Sequence, residues 1–304
     1  MKVVVTGATG FVGKVLVRQL LDSNNEVVVL TRNVAKAALL LGSKCQYHQW
    51  SDTNSLPPVE AFEGTDAVIN LMGETISERW TEEHKKRVYD SRIVSTRRLI
   101  EAIEKTQKKP KAFVSTSAIG IYGDRGSEDI KESSSQADDF LARVCKDWEA
   151  EANKAIQIGL RVAIIRVGVV LGRGGGALAK MLPIFKLGGG GPVGSGKQYM
   201  SWIHVEDIAS MFIEAAKNDS MSGAFNGTAP YPATNADFSK TLGKVLRRPA
   251  FMPAPAFAMK IAFGEMSQIL LGGAKVLPER FQQQKFRYRY PTLEIALKNS
   301  ATKA

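Results

Sequence analysis

The sequence predicts an α/β protein built on a doubly wound parallel sheet, followed by a smaller C-terminal α/β subdomain. Three observations predict it. Up to residue 172, short β-branched runs that are apolar throughout alternate with amphipathic stretches, and strands buried on both faces between helices make a parallel sheet covered on each side. A turn with glycines at 7, 10 and 13 follows the first run and opens the first amphipathic stretch. After residue 172 the composition changes, first to glycine and then to recurrent proline.

Taken in order, Val3–Val5 reads as a strand, and residues 12–21 as the helix behind it, with Val12, Val15, Leu16 and Leu20 at helical spacing. Glu26–Leu30, Lys44–Trp50, Asp66–Leu71, Ala112–Ser117 and Arg161–Gly172 read as the second to sixth strands. Glu82–Lys105 and Asp138–Ala155 read as helices between them. GRGGGA and LGGGGPVGSGK read as long loops at a site. SWIHVEDIASMFIEAAK reads as a strand fragment running into a helix. Prolines at 230, 232, 249, 253, 255, 278 and 291 mark an irregular tract. Residues 1–229 are therefore read as the main domain, with cleft loops in 172–200, and 230–304 as the subdomain. Asn299–Ala304 is expected to be a free tail.

Composition removes several classes of function. Lys plus Arg is 41 against 30 Asp plus Glu, a net charge of +11 over 304 residues. The basic residues are dispersed, so charge alone does not indicate nucleic acid, and it suits a small anionic ligand as well. Two cysteines cannot build a disulfide framework. Three histidines lie far apart and no metal spacing is present, so no metal is expected. No apolar run approaches the roughly 20 residues of a membrane span. The opening MKVVVTG already reads as a strand, so neither a signal peptide nor a membrane partner is expected, and the expected location is cytoplasmic.

The glycine turn carries the chemistry. Gly7 permits a tight turn, Gly10 lets the backbone approach a pyrophosphate, and Gly13 lets helix and strand pack closely. The helix then offers free N–H groups and the positive end of its dipole to the phosphates. An acid about 20 residues past the glycines selects NAD through the ribose 2′-hydroxyl. Here the second strand ends VVVLTRN, and Arg32 stands 19 residues past Gly13. A guanidinium pairs with a 2′-phosphate that a carboxylate would repel. The expected cofactor is NADP(H), with Arg32 on that phosphate and Lys36 assisting. GPVGSGKQ imitates a nucleotide-triphosphate loop but has Gln198 where Ser or Thr is required. No nucleophile elbow surrounds Ser115–Ser117.

These residues resemble an extended short-chain dehydrogenase/reductase with a Rossmann sheet, of the NAD-dependent epimerase/dehydratase type. An atypical branch is matched more closely, through DAVINLMGETISERWTEEHKKRVYDSRIVSTRRLIEAI, FLARVCKDWEAEA, MLPIFKLGGGGPVGSGKQYMSWIHVEDI and LLGGAKVLPERFQQQKFRYRYPTLEIAL. That branch ends in a domain of unknown function, and some members are labelled cell-division inhibitor homologues. The resemblance implies that Gly7, Thr9, Gly10, Phe11 and Val12 line the pyrophosphate. It places Leu71, Met72 and Gly73 on the ribose and adenine side, Ser115 and Thr116 by the nicotinamide ribose, and Val167 and Val169 along the nicotinamide. It also implies a homodimer through the helices at 82–105 and 138–155.

One departure bears on catalysis. Ordinary members carry Tyr-x-x-x-Lys as acid/base, and none of the seven tyrosines here has lysine four residues on. Ser117 keeps the place of the serine that polarises a carbonyl, and Tyr122 and Glu74 are the candidate replacements for proton transfer. Each has a plainer reading: Ser117 a strand-end cap, Tyr122 a packed aromatic, Glu74 a charge at a helix N-terminus. The expected function is an NADP(H)-dependent oxidoreductase or epimerase on an unidentified small carbonyl or hydroxyl substrate. The alternative is a non-catalytic NADP(H)-binding regulator or scaffold. Arg79, Trp80 and Arg92 read either as a pocket for an anionic group or as an exposed helix face. Trp202, His204 and Asp207 resemble a domain-junction motif.

Overall fold

A computed structural model describes residues 1–302. The first half runs β1 (Lys2–Thr6), α1 (Phe11–Asp22), β2 (Glu26–Thr31), α2 (Val34–Leu41), β3 (Gln46–Gln49), β4 (Ala67–Asn70), α3 (Glu82–Glu104), β5 (Ala112–Ala118), β6 (Asp129–Ile130) and α4 (Phe140–Asn153). It continues through β7 (Arg161–Val167), β8 (Val169–Leu171), α5 (Gly176–Lys186), β9 (Tyr199–Met200), β10 (Trp202–His204), α6 (Val205–Lys217) and β11 (Gly223–Gly227). The remainder holds β12 (Ala233–Thr234), α7 (Asn235–Leu246), α8 (Ala256–Phe263), α9 (Ser267–Leu271), β13 (Lys275–Val276), α10 (Glu279–Gln283) and α11 (Leu293–Ala301).

Seven parallel strands form the central sheet in the order β11-β7-β5-β4-β1-β2-β3. The order reverses beside β1, and an open sheet of this kind binds its ligand in the crevice at the carboxyl ends of its strands. Val3, Val4 and Val5 are fully buried, because alternate side chains enter opposite layers. Val3 and Val5 pack with Leu16, Leu20 and Phe212. Val4 packs with Leu99, Ile103 and Phe113. The unbroken apolar runs are the signature of this two-sided burial.

Three sequence expectations are corrected. Arg161–Gly172 is two strands. A β-carbon on Gly168 would stand 2.3 Å from Ser201 O, so the chain bends there, and β8 leaves the main sheet to pair with β10. The stretch 172–200 is not all loop, since α5 occupies 11 residues of it. Three of its glycines serve the Phe11 ring: β-carbons at 172, 175 and 176 would come within 2.8, 2.2 and 3.0 Å of that ring. The tail expected from Asn299 is helical through Ala301, with Ser300 and Ala301 buried. Lys303 and Ala304 lie outside the described residues.

The smaller C-terminal α/β subdomain docks through polar clamps. The Asp207 carboxylate accepts the backbone N–H groups of Arg289 (2.8 Å) and Tyr290 (3.0 Å). His204 is buried; its Nδ1 accepts the Glu206 N–H at 3.2 Å and its ring stacks on Tyr290 at 3.7 Å. That acceptor role leaves the proton on Nε2, facing Asn299 Oδ1 at 3.2 Å. Burial lowers the His204 pKa from 6.5 to about 4. The folded ring is therefore neutral where the unfolded ring takes up a proton. Its contribution is complete above about pH 6.5 and is lost as pH falls toward 4, by up to about 3 kcal/mol. Urea unfolding at pH 7.5 and 4.5 is expected to show that loss, and His204→Asn to reduce it.

Candidate active site at the carboxyl edge of the sheet

The glycine turn closes on backbone, not on side chains. Gly7 has φ +67°, and a β-carbon there would lie 2.6 Å from Leu71 O. A β-carbon on Gly13 would lie 2.3 Å from Gly7 O. Gly10 N–H donates to Gly7 O at 3.0 Å, and the first bond inside α1 is Lys14 N–H to Gly10 O at 3.1 Å. The cap residue Gly10 has no side chain with which to bond, and the first turn carries no acid. The amides of Phe11, Val12 and Gly13 are left directed out of the helix end, which fits a diphosphate.

The other expected cofactor residues reach the same edge. Thr9, Phe11 and Val12 are partly exposed beside Gly10. Leu71, Met72 and Gly73 follow β4, where Asn70 ties the strands: it accepts from Thr6 Oγ1 (2.7 Å) and Met72 N–H (3.2 Å). Thr116 Oγ1 donates to Asn70 O at 2.9 Å, and Ser115 Oγ to Thr116 O at 3.2 Å. Val167 ends β7 and Val169 begins β8, both partly exposed. Arg32 directly follows β2 and is exposed; among the described residues it joins no ion pair. Asn33 caps α2 by accepting Lys36 N–H at 2.8 Å, holding the start of that helix beside Arg32.

The candidate catalytic residues divide. Tyr122 is fully buried. Its hydroxyl donates to Asn226 Oδ1 at 2.7 Å and accepts from Arg166 at 2.8 Å. Burial raises its pKa, against the opposing pull of Arg166. This is the packed aromatic of the plainer reading. Ser117 is also buried and donates to Glu149 Oε1 at 2.7 Å. Glu74 is partly exposed; its backbone N–H takes Ser91 Oγ at 2.9 Å and its carboxylate accepts Thr75 N–H at 3.1 Å.

Glu149 and Arg166 are the residues that sequence reasoning missed. Arg166 Nε and Nη2 reach the two Glu149 oxygens at 2.8 Å each, with side chains only 5% and 10% exposed. Burial opposes the charge on Arg166, but the hydrogen bonds and charge of Glu149 outweigh it and hold the guanidinium more firmly protonated than usual. The signal was present: an arginine inside VAIIRVGVV must find a buried carboxylate. One helical turn before Glu149 stands Cys145, whose thiol burial pushes up to about 11.

Arg79, Trp80 and Arg92 belong to the loop after β4 and to α3. Trp80 is buried, its indole N–H on Ile76 O at 3.0 Å and its ring edge-on to Phe140 at 5.4 Å. Arg92 lies over the Trp148 ring at 5.2 Å. Among the described residues no group of three His, Cys, Asp or Glu could hold a metal, and no described helix is long and apolar enough to cross a membrane.

Comparison with known proteins agrees with this geometry. The pattern of the NAD dependent epimerase/dehydratase family matches residues 3–226, and that of a domain of unknown function, DUF1731, matches residues 254–300. The chain is 41% identical over 307 residues to the chloroplastic homologue of epimerase family protein SDR39U1 from Arabidopsis thaliana, covering 98% of this chain and 86% of that protein. It is 37% identical to the Homo sapiens protein SDR39U1, covering 98% and 99%. The crystal structure of the human protein with NADPH superposes with a TM-score of 0.88, at 37% identity and 99% coverage of both chains. A Bacillus cereus UDP-glucuronic acid 4-epimerase, at 18% identity and a TM-score of 0.79, shares the fold.

Proposed function

The chain belongs to the NAD dependent epimerase/dehydratase family and ends in a DUF1731 domain, and from that premise we propose that it is an NADP(H)-dependent oxidoreductase or epimerase acting on a small hydroxyl or carbonyl substrate. The observation that carries the reading is the backbone-walled glycine turn at a bare helix N-terminus, with an exposed arginine after the next strand. The human relative crystallised with NADPH supports the same cofactor here. The bound dinucleotide supplies a hydride acceptor or donor.

The chain's own residues do the rest. Gly7, Gly10 and Gly13 admit the diphosphate to the α1 amides, and Arg32 pairs with the 2′-phosphate. Leu71, Met72 and Gly73 flank the adenosine side. Ser115, Thr116, Val167 and Val169 border the nicotinamide end. Ser117 fixes the substrate oxygen. A hydroxyl has one proton to donate, and that of Ser117 goes to Glu149 at 2.7 Å, so its lone pairs accept from a substrate hydroxyl. Proton transfer falls to Glu74, whose side chain is partly exposed, because the Tyr122 hydroxyl is already engaged by Asn226 and Arg166. Residues 1–229 form the cofactor domain and 230–304 cover the cleft; the exposed faces of α3 and α4 serve a homodimer in the cytoplasm.

Calorimetric titration with NADPH and NADH tests the cofactor. Arg32→Ala is expected to weaken NADPH about 10–100-fold, the worth of a charge-assisted pair, and to leave NADH unchanged. Equal losses for both would remove Arg32 from the 2′-phosphate. Turnover on a panel of alcohols and carbonyls is expected to fall at least about 100-fold in Glu74→Gln and Ser117→Ala. The absence of Tyr-x-x-x-Lys and the engaged Tyr122 hydroxyl favour a second reading, a cofactor-binding regulator. Tight NADPH binding with no turnover would select it.

A further inference from the structure

We propose that the cleft takes an amphipathic acid, with a carboxylate or phosphate head held by Arg92, Arg79 and Lys180 and an apolar body laid against α8 and the end of α5. The inference deepens the reading above and rests on it, since it assumes that substrate enters this cleft.

Arg92 is the exception on its own helix. Lys85, Lys86, Arg87, Arg97 and Arg98 of α3 all pair with carboxylates. Among the described residues Arg92 donates only to neutral oxygens: Val88 O and Glu74 O at 2.9 Å and Ser91 Oγ at 3.4 Å. A largely buried guanidinium without a counter-ion is costly to keep. The nearby Glu74 carboxylate forms no ion pair with it and turns back to Thr75 N–H. Gly73 lets the cation approach the chain directly after β4, for a β-carbon there would stand 3.0 Å from the guanidinium.

Two further cations meet the same loop from other elements. Lys180 crosses from α5 to donate to Ser77 O at 3.0 Å. The Arg79 guanidinium lies along Gly264 at the end of α8, 3.5 Å from where a β-carbon would stand. Neither has a carboxylate partner among the described residues.

The apolar half lies beside them. α8 reads AFAMKIAF and buries none of its residues, although a helix apolar on nearly every side is normally covered. Phe257 and Ile261, one turn apart, are 68% and 73% exposed, and Leu187 after α5 is 88% exposed. The chain ahead of α8 is bonded to the chain following α5, through Met252 N–H to Gly190 O (3.2 Å) and Ala254 N–H to Pro192 O (2.8 Å). The exposed apolar surface and the cations thus sit on neighbouring elements, brought together by the loop after β4 and by the chain between α5 and α8. Such a surface marks a binding site, and the cations select an acidic head for its occupant.

The test is calorimetry on the NADPH-loaded protein with decanoate, decyl phosphate, butyrate, decanol and UDP-glucose. Decanoate or decyl phosphate is expected to bind at least about tenfold tighter than decanol, and each methylene added beyond butyrate to strengthen binding about threefold until the groove is full. The tighter of the two heads identifies the acid. Arg92→Met and, separately, the surface change Lys180→Met are expected to weaken the acids about tenfold and not decanol. Phe257→Ser with Ile261→Ser is expected to bring decanoate to the level of butyrate. Equal binding of decanoate and decanol overturns the inference, as does binding of UDP-glucose without decanoate, or acid affinity unmoved in both cation variants. A protein that takes no NADPH at the loading step overturns the cofactor reading and this inference with it; one that loads but shows no preference for acids overturns this inference alone.

Discussion

Glu149→Ala is expected to lower the unfolding free energy by about 3–5 kcal/mol, read from urea denaturation at neutral pH. That is a large share of the 5–15 kcal/mol typical of folded domains. The loss has little to do with the attraction removed. It comes from Arg166, which would stay in the core at 5% exposure with both bidentate acceptors gone. Its remaining partners, the Tyr122 hydroxyl at 2.8 Å and Glu132 O at 3.1 Å, are neutral and do not balance its charge. Ser117 loses its acceptor in the same step. Replacing both charges, as Glu149→Met with Arg166→Met, is expected to recover most of the loss, because no uncompensated ion then remains. A single variant within about 1 kcal/mol of the parent would show that water reaches Arg166 and that the pair is not buried in solution.

The legibility of this chain followed from how local each determinant is. β1, β2, β4 and β5 were readable because both faces of each are covered, so each carries an unbroken apolar run: Val3–Val5, Val27–Leu30, Ala67–Ile69 and Ala112–Val114. The glycine turn was readable because its three glycines, the strand before and the helix after are contiguous. The edge strand β11 was not, since GAFNG has two glycines and an asparagine among five residues and gains strand geometry only by pairing with β7. α5 was hidden by its flanks: ALAKMLPIFK has helical content, but Gly172, Gly175 and Gly176 ahead of it are there to admit Phe11, a residue more than 160 positions earlier. The Glu149–Arg166 pair joins a helix to a strand, and only the three-dimensional packing sets the two side chains face to face. Tyr122 shows the opposite failure. Its sequence context suggests a reactive hydroxyl, and nothing local reveals that Asn226, 104 residues away, engages it.

Gly13→Ala is expected to weaken NADPH at least about 100-fold, the loss of two charge-assisted hydrogen bonds at roughly 1.5 kcal/mol each, and to destabilise the fold by about 1–3 kcal/mol. The new methyl group would stand 2.3 Å from Gly7 O and 2.7 Å from both Ala8 Cα and Ala8 O. All three are backbone atoms, so no rotamer change relieves them. α1 must move off β1 by about 1 Å, which a close-packed interior resists, and the amides of Phe11 and Val12 move with it. Gly10→Ala separates the two consequences. Its β-carbon meets only Gly7 O, at 3.1 Å, and the site is exposed, so the fold should tolerate it. That methyl group projects where a diphosphate must approach, and NADPH binding is expected to fall nearly as far as in Gly13→Ala with stability almost unchanged. Calorimetry beside urea denaturation on the two variants reads both quantities. Should Gly10→Ala bind NADPH like the parent, the diphosphate does not sit on this turn, and the roles given to Arg32 and Ser117, which take their geometry from it, fall together.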